Sequence, residues 1–256
     1  MKNESITRTF TVATVLCVVC AIIVSLSYVA LKDMQDRNKA LDMRVNILSA
    51  AGLVEPNAKV SSTQADELFA NAKVVVVDLE SGEIVDKTPQ EVENDKTNVI
   101  ALDPADDIAG LKQIKKYATV YLFNDESGAL QTAVLPIVGT GLWSTMYGFL
   151  ALNGDLTTVA HIVFYEHGET PGLGGEISNP NWTKKWEGKV AVDESGAPVI
   201  HTVKGTASKD DEVDAITGAT LTSAGVTNTV QFWLGNKGYG PFLSKQRNGQ
   251  NTTDAN

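Results

Sequence analysis

The chain has 256 residues, enough for one membrane segment plus one sizeable domain, or for two small ones. It is acidic, with a formal net charge of −10 and a pI near 4.8, which argues against nucleic acid as a partner because phosphates need a basic footprint. Its two cysteines, Cys17 and Cys20, both fall in the apolar N-terminal run, so the rest of the chain can hold neither a disulfide nor a cysteine-ligated metal or iron–sulfur centre.

Phe10 to Leu31 carries no charged side chain. About 22 helical residues at roughly 1.5 Å each reach about 33 Å, enough to cross a bilayer core. A cleaved signal peptide would have a shorter apolar core. A lipoprotein site needs a small residue before its cysteine, and Val19 precedes Cys20. The run is read as a retained anchor, with Cys17 and Cys20 as small packing residues on one helix face. Lys2 and Arg8 precede the span, and Lys32, Arg37, Lys39 and Arg44 follow it. This slight bias leans towards a cytoplasmic position for the large domain.

Lys32 to Leu53 has Leu41, Val45 and Leu48 at helical spacing, with Gly52 as a stop and Pro56 beyond it. Thr63 to Ala72 is a second short helix. Three hairpins are expected around one turn sequence, Glu-Ser-Gly, at Glu80–Gly82, Glu126–Gly128 and Glu194–Gly196. Their strands are 74–79 with 84–85, 119–123 with 130–137, and 190–192 with 199–203. The flanks differ too much for a true repeat. Residues 89–107 read as a loop and Ile108 to Tyr117 as a short helix. Residues 146–152 and 156–165 form a further hairpin about Asn153-Gly154-Asp155. Asn179-Pro180 opens a short helix bearing Trp182 and Trp186. The expected divisions are an N-terminal segment 1–9, a span 10–31, a helical linker 32–60, an α+β domain 61–243 that is mainly antiparallel sheet with flanking helices, and a disordered tail 244–256.

Three strips carry chemistry. The first is Asp214 to Ser223, rich in hydroxyls and small residues, ahead of an amphipathic helix with Val226, Val230, Trp233 and Leu234. Thr222 or Ser223 is the expected N-cap. Backbone N–H groups at a helix start favour a phosphate, although the same pattern serves a simple cap. The second strip, Glu169 to Glu176, holds too many glycines for a regular element. The third is Gly139 to Ser144, where Trp143 has the flat face that an aromatic ring stacks on. Gly139 and Gly141 lack the third glycine of a dinucleotide fingerprint, so no NADH site is expected. Lys204 precedes the first strip and offers a charge to a phosphate. His161, His167 and His201 are scattered singly, so no metal site is expected. Ser144 and Thr170 lack a His/Asp set for hydrolysis, so no catalytic side chain is assigned.

Asp214 followed by Thr217-Gly218-Ala219-Thr220 resembles the flavinylation motif of proteins that carry FMN as a phosphoester on threonine. Glu169-Thr170-Pro171-Gly172-Leu173-Gly174 is similar to the same family's second signature, packed on the flavin. Together with the N-terminal span, the layout resembles the C-subunit family of sodium-translocating NADH:quinone oxidoreductases along essentially the whole chain. That resemblance implies FMN on Thr220, placed there by a flavin transferase that splits FAD. Asp214, Thr217, Gly218 and Ala219 would form its acceptor loop, and Glu169, Thr170, Gly172, Leu173 and Gly174 would pack on the flavin. Read from the residues alone, Thr222, Trp143, Ser144 and Lys204 are further candidates to contact it, beside the plainer readings of a cap, a core tryptophan and a surface lysine. The resemblance implies one component of a six-subunit inner-membrane complex that passes electrons from NADH to ubiquinone and exports sodium. It also implies a cytoplasmic N-terminus and a periplasmic domain, against the charge bias. Two alternatives remain: the G-subunit family of the related ferredoxin:NAD electron-transport complex, or a membrane-anchored binding or assembly protein without a redox role.

Overall fold

The computed structural model describes residues 6–56 and 58–253. The first five residues of the expected N-terminal segment and the last three of the expected tail lie outside them. The chain falls into two compact units, Met1–Arg44 and Val45–Asn256.

The first unit belongs to helix α1, Ile6–Ala50. Every described side chain to Ala40 is exposed, including all the apolar ones from Phe10 to Leu31. Among the described residues it is the one helix long and apolar enough to cross a membrane. Span and linker are not separate elements, because no glycine or proline interrupts residues 6–50. The last turn of α1 belongs to the second unit, where Ile47, Leu48 and Ala50 are buried. The compact domain therefore starts near Val45 rather than at 61. Gly52, at φ +75°, closes the helix, and Leu53 N–H donates to Leu48 O at 2.9 Å.

Helix α2, Ser62–Phe69, is capped by Ser61, whose hydroxyl accepts from Gln64 N. Strands β1 (Ala72–Asp78) and β2 (Ile84–Val85) form the first hairpin. Helix α3, Pro89–Asn94, follows with a full capping box between Thr88 and Glu91, and β3 (Val99–Ala101) pairs with β4 (Gln113–Lys115). The stretch 89–107 is thus not plain loop, and the helix expected at Ile108 to Tyr117 does not form. Gly110 and Lys112 are both left-handed, at φ +70° and +64°, and the Asp107 carboxylate accepts from Leu111 N and Lys112 N at 2.7 Å each. The apolar spacing there serves a hairpin instead.

Strands β5 (Tyr117–Asn124), β6 (Leu130–Thr140), β7 (Thr145–Asn153) and β8 (Val159–Glu166) complete an antiparallel sheet of order β2-β1-β5-β6-β7-β8. Short helix α4, Pro180–Thr183, is capped by Asn179 and runs on through a tight turn to Trp186. The third expected hairpin is only an isolated bridge, Val192 to Pro198. Its return segment, β9 (His201–Val203), instead pairs in parallel with β10 (Glu212–Asp214). Helix α5, Thr220–Leu234, then lies on the sheet over β6.

Helix α6 runs Gly240–Thr253, so the tail expected to be disordered from 244 is helical as far as it is described. Burial of Phe242 and Leu243 docks its first turn, and Lys245 pairs with Glu83 at 3.1 Å. Just ahead of it, the buried Tyr239 hydroxyl donates to Pro136 O at 2.8 Å.

The seat of α5 depends on missing side chains. A Cβ on Gly139 would collide with Thr229 Oγ1, and one on Gly225 would stand 2.7 Å from Thr140 O. The Thr229 side chain therefore seats directly on the β6 backbone at Gly139, backbone meets backbone at Gly225, and Trp233 Nε1 locks the contact by donating to Val138 O at 2.7 Å. Replacing Gly139 with alanine should push α5 off β6 and destabilise the domain by about 1–3 kcal/mol, as overpacking does. Chemical denaturation of the domain checks this, and an unchanged midpoint would contradict the close packing.

Candidate functional site

The tip of the β6–β7 hairpin is Gly141–Ser144, closed by Gly141 N–H to Ser144 O at 2.8 Å. Trp143 stands there 72% exposed, beside exposed Leu142. Beyond β8, Thr170-Pro171-Gly172-Leu173 turns sharply. Leu173 N donates to Thr170 O at 3.1 Å, and Gly172 takes φ +74°, as the third position of a type II turn requires. Gly175 N also donates to Thr170 O, at 2.8 Å. Thr170 and Gly172 are exposed, Leu173 is 45% exposed and Gly174 is buried.

The remaining strip leaves β10 at Asp214. Ala219 N donates to Ile216 O at 3.0 Å, Gly218 takes φ +79°, and α5 begins at Thr220. Thr217 and Thr220 are exposed. The cap is not Thr222 or Ser223, because the helix starts earlier than expected. Ala219 occupies the cap position and no side chain caps the first turn. Ser223 Oγ instead accepts from Ile216 N at 3.0 Å and donates to Ala219 O at 3.0 Å, folding the loop back on the helix.

One carboxylate joins all three strips. Glu169 is 4% exposed. Its Oε1 accepts from Trp143 N at 2.8 Å and Ser144 N at 3.2 Å. Its Oε2 accepts from Thr222 Oγ1 at 2.6 Å. A Cβ on Gly141 would lie 2.5 Å from Oε1, and one on Gly174 would lie 2.8 Å from Oε2. Ser144 Oγ adds a bond from Gly168 N at 2.6 Å, and an ideal Cβ on Gly218 would lie 3.1 Å from Leu173 Cδ2. Trp143, Ser144, Glu169, Gly174 and Thr222 are thus gathered, with Leu173 against Gly218. Glu169 and Thr222, expected to face a ligand, are turned inward and bind each other.

Asp214 is held by partners outside the three strips. Its carboxylate accepts from Ala207 N at 2.6 Å and pairs with Lys185 Nζ at 2.7 Å, while its carbonyl accepts from Trp182 Nε1 at 2.8 Å. The Ala207 amide and then Lys185 hold its carboxyl below the ordinary range. Lys204 follows Val203, the register partner of Asp214, and is exposed. Lys185 and Trp182 were not legible as site residues, since nothing in their spacing marks them. Ser223 was legible as a hydroxyl in the right turn, but with the wrong partner.

Comparison with known proteins fits this geometry. The FMN-binding domain family model matches residues 141–235, from the first residue of the hairpin tip to the residue after α5. The C subunit of the Na(+)-translocating NADH-quinone reductase of Yersinia pestis is 43% identical, aligned over 97% of this chain and 96% of its own. That of Pseudomonas aeruginosa is 45% identical over 97% and 99%. The chain belongs to the C-subunit family of Na(+)-translocating NADH-quinone reductases. The crystal structure of Shewanella oneidensis NqrC superposes with a TM-score of 0.72 at 30% identity, covering 81% of this chain and 97% of that one. The C subunit from Parabacteroides distasonis gives 0.62 at 28%, covering 84% and 97%.

The residues present in this C-subunit homologue fit the FMN that its family model describes. An exposed hydroxyl, Thr220, starts a helix whose first-turn N–H groups have no side-chain cap. Leu142, Trp143, Leu173 and Leu221 are exposed apolar side chains on the gathered strips and the start of α5, the kind of residue a flavin ring would pack against.

Burial raises the Glu169 pKa, but the bonds from Thr222, Trp143 N and Ser144 N outweigh it, and the net shift is downward from about 4.5. A lowered folded-state value contributes stability above the unfolded value, and that contribution is lost as pH falls through the folded one. The gap in melting temperature between the native chain and Glu169→Gln should be widest at neutral pH and should shrink progressively as pH falls below the ordinary glutamate range. Thermal scans across that range check it; a gap that widens on acidification would contradict the assignment.

Proposed function

We propose that this chain is an electron-carrying component of a membrane complex that couples NADH oxidation and ubiquinone reduction to sodium export, with FMN held as a phosphoester on Thr220. The single observation that carries the reading is Thr220 itself. It is an exposed hydroxyl on the uncapped first residue of α5, beside an apolar surface that one buried carboxylate gathers from three strips. FMN, when bound, supplies reversible acceptance and release of electrons. Thr220 tethers it through the bond made by a flavin transferase, which splits FAD and releases AMP.

Each remaining residue has a definite task in this reading. The left-handed Gly218 and the Ile216–Ala219 turn present Thr220 outward. The free N–H groups of the first turn of α5 face the phosphate, and Lys204 adds positive charge on the same side of the domain. Trp143, Leu173 and Leu221 exclude water from the ring. Thr170 and Gly172 shape the turn that carries Leu173. Asp214 and Thr217 give the transferase a rigid acceptor loop.

Helix α1 anchors the chain in the inner membrane, and the domain lies in the periplasm, where a tether keeps FMN from diffusing away. The chain has no NADH site of its own. NADH oxidation and quinone reduction belong to its partners in a six-subunit assembly.

Full-length chain co-expressed with a flavin transferase should gain one FMN, and its denatured band should fluoresce in a gel. Thr220→Val should abolish both signals with little change in melting temperature. Intact mass is the check, and a Thr220→Val chain that still carries the flavin mass would overturn the attachment site.

A further inference from the structure

Glu169 carries more than a clamp requires. The clamp needs acceptors for Trp143 N, Ser144 N and Thr222 Oγ1. A neutral glutamine could meet the same three partners. Its carbonyl oxygen would accept from the two amides, and its NH₂ would donate to the Thr222 hydroxyl. The count of bonds alone therefore does not require a net charge, although ionisation strengthens them. Burial by itself disfavours that charge, because Glu169 is 4% exposed and, among the described residues, no ion pair reaches it, yet the bonds from Thr222, Trp143 N and Ser144 N outweigh this. Only dipoles compensate it. Gly141 and Gly174 make room for it, since a Cβ on either would fall 2.5 Å or 2.8 Å from its oxygens.

The charge also sits at the centre of the site. Its donors are the backbone of the exposed Trp143 and a side chain two residues along α5 from Thr220. Cα atoms two apart on a helix are about 5.5 Å from each other. A fixed negative charge there opposes any further negative charge placed on a ring held at Thr220, and low local polarity strengthens that opposition.

We propose that the Glu169 carboxylate lowers the reduction potential of the flavin carried on Thr220, acting as a fixed charge in addition to its part in holding the three strips together. The proposal rests on the reading that FMN is attached at Thr220. Full reduction at pH 8 takes up two electrons and one proton and leaves the ring one unit more negative. Glu169 opposes that added unit.

The test uses full-length chain in detergent, loaded by the transferase and titrated with dithionite through redox mediators at pH 8. Intact mass comes first. If the native chain carries no FMN on Thr220, the attachment reading fails and the charge proposal has no object. With FMN present, Glu169→Gln should raise the midpoint on the order of tenfold in the two-electron equilibrium, about 30 mV. Its loading is measured by intact mass before titration, and only the flavin-bearing fraction is read. Thr222→Val keeps the charge and removes its hydroxyl donor, so its midpoint should fall below the native value. A Glu169→Gln midpoint that is unchanged or lower overturns the proposal. If that variant does not load, Thr222→Val decides alone, and an unchanged or raised midpoint overturns it.

Discussion

A single buried carboxylate is the constraint on which this site depends. Glu169 takes hydrogen bonds from a hairpin tip 25 and 26 residues before it and from a helix 53 residues after it. With all of its acceptors buried, each missing partner would leave a polar group without water or protein to satisfy it. The three segments therefore come together or not at all. Small domains often hold such loops with a disulfide or a metal, but here both cysteines lie in α1. Hydrogen bonds to one ionised acid take that part instead. The strictness of the fit shows in Gly141 and Gly174, where a single methyl group would displace the carboxylate.

The acceptor loop is fixed from its other end as well. Asp214 grips Ala207 and Lys185 through its side chain and Trp182 through its carbonyl. Ser223 then ties Ile216 to the helix. Between these tethers the hydroxyls of Thr217 and Thr220 stay outside. Behind them α5 rests on β6 through Gly225 against the Thr140 carbonyl and Gly139 against the Thr229 side chain, so the helix is held close to the strand. A group carried on Thr220 would thus be attached to one of the most firmly seated elements of the domain. Such seating suits electron transfer, which needs a fixed distance and orientation.

The anchor is built on a simpler plan. Nothing between Ile6 and Ala50 breaks the helix, so the apolar span and the polar stretch after it form one element. Only its last turn contributes to the folded domain, through Ile47, Leu48 and Ala50. Membership of the C-subunit family and this single apolar helix agree on membrane attachment.

The sequence by itself determined the membrane-length run, the turns and most of the long strands. The charge-free run Phe10 to Leu31, the Glu-Ser-Gly turns and the alternating strands were legible because period and turn residues act over a few positions. The two signature strips were legible as strips, and their resemblance to a flavinylated family led to Thr220 without any geometry. The partners of each residue were not legible. Glu169 and Thr222 read as ligand contacts, yet they bind each other, because only the folded chain brings residues 53 apart within 2.6 Å. Ile108 to Tyr117 read as helix until Asp107 and two left-handed residues made it a hairpin. The tail from 244 read as disordered from its polar composition, whereas it continues a helix whose first turn, with Phe242 and Leu243, is buried in the domain. Local pattern sets what each segment can be. Long-range packing and the pairing of buried polar groups set what each segment touches, and so which side chains remain free to meet a cofactor.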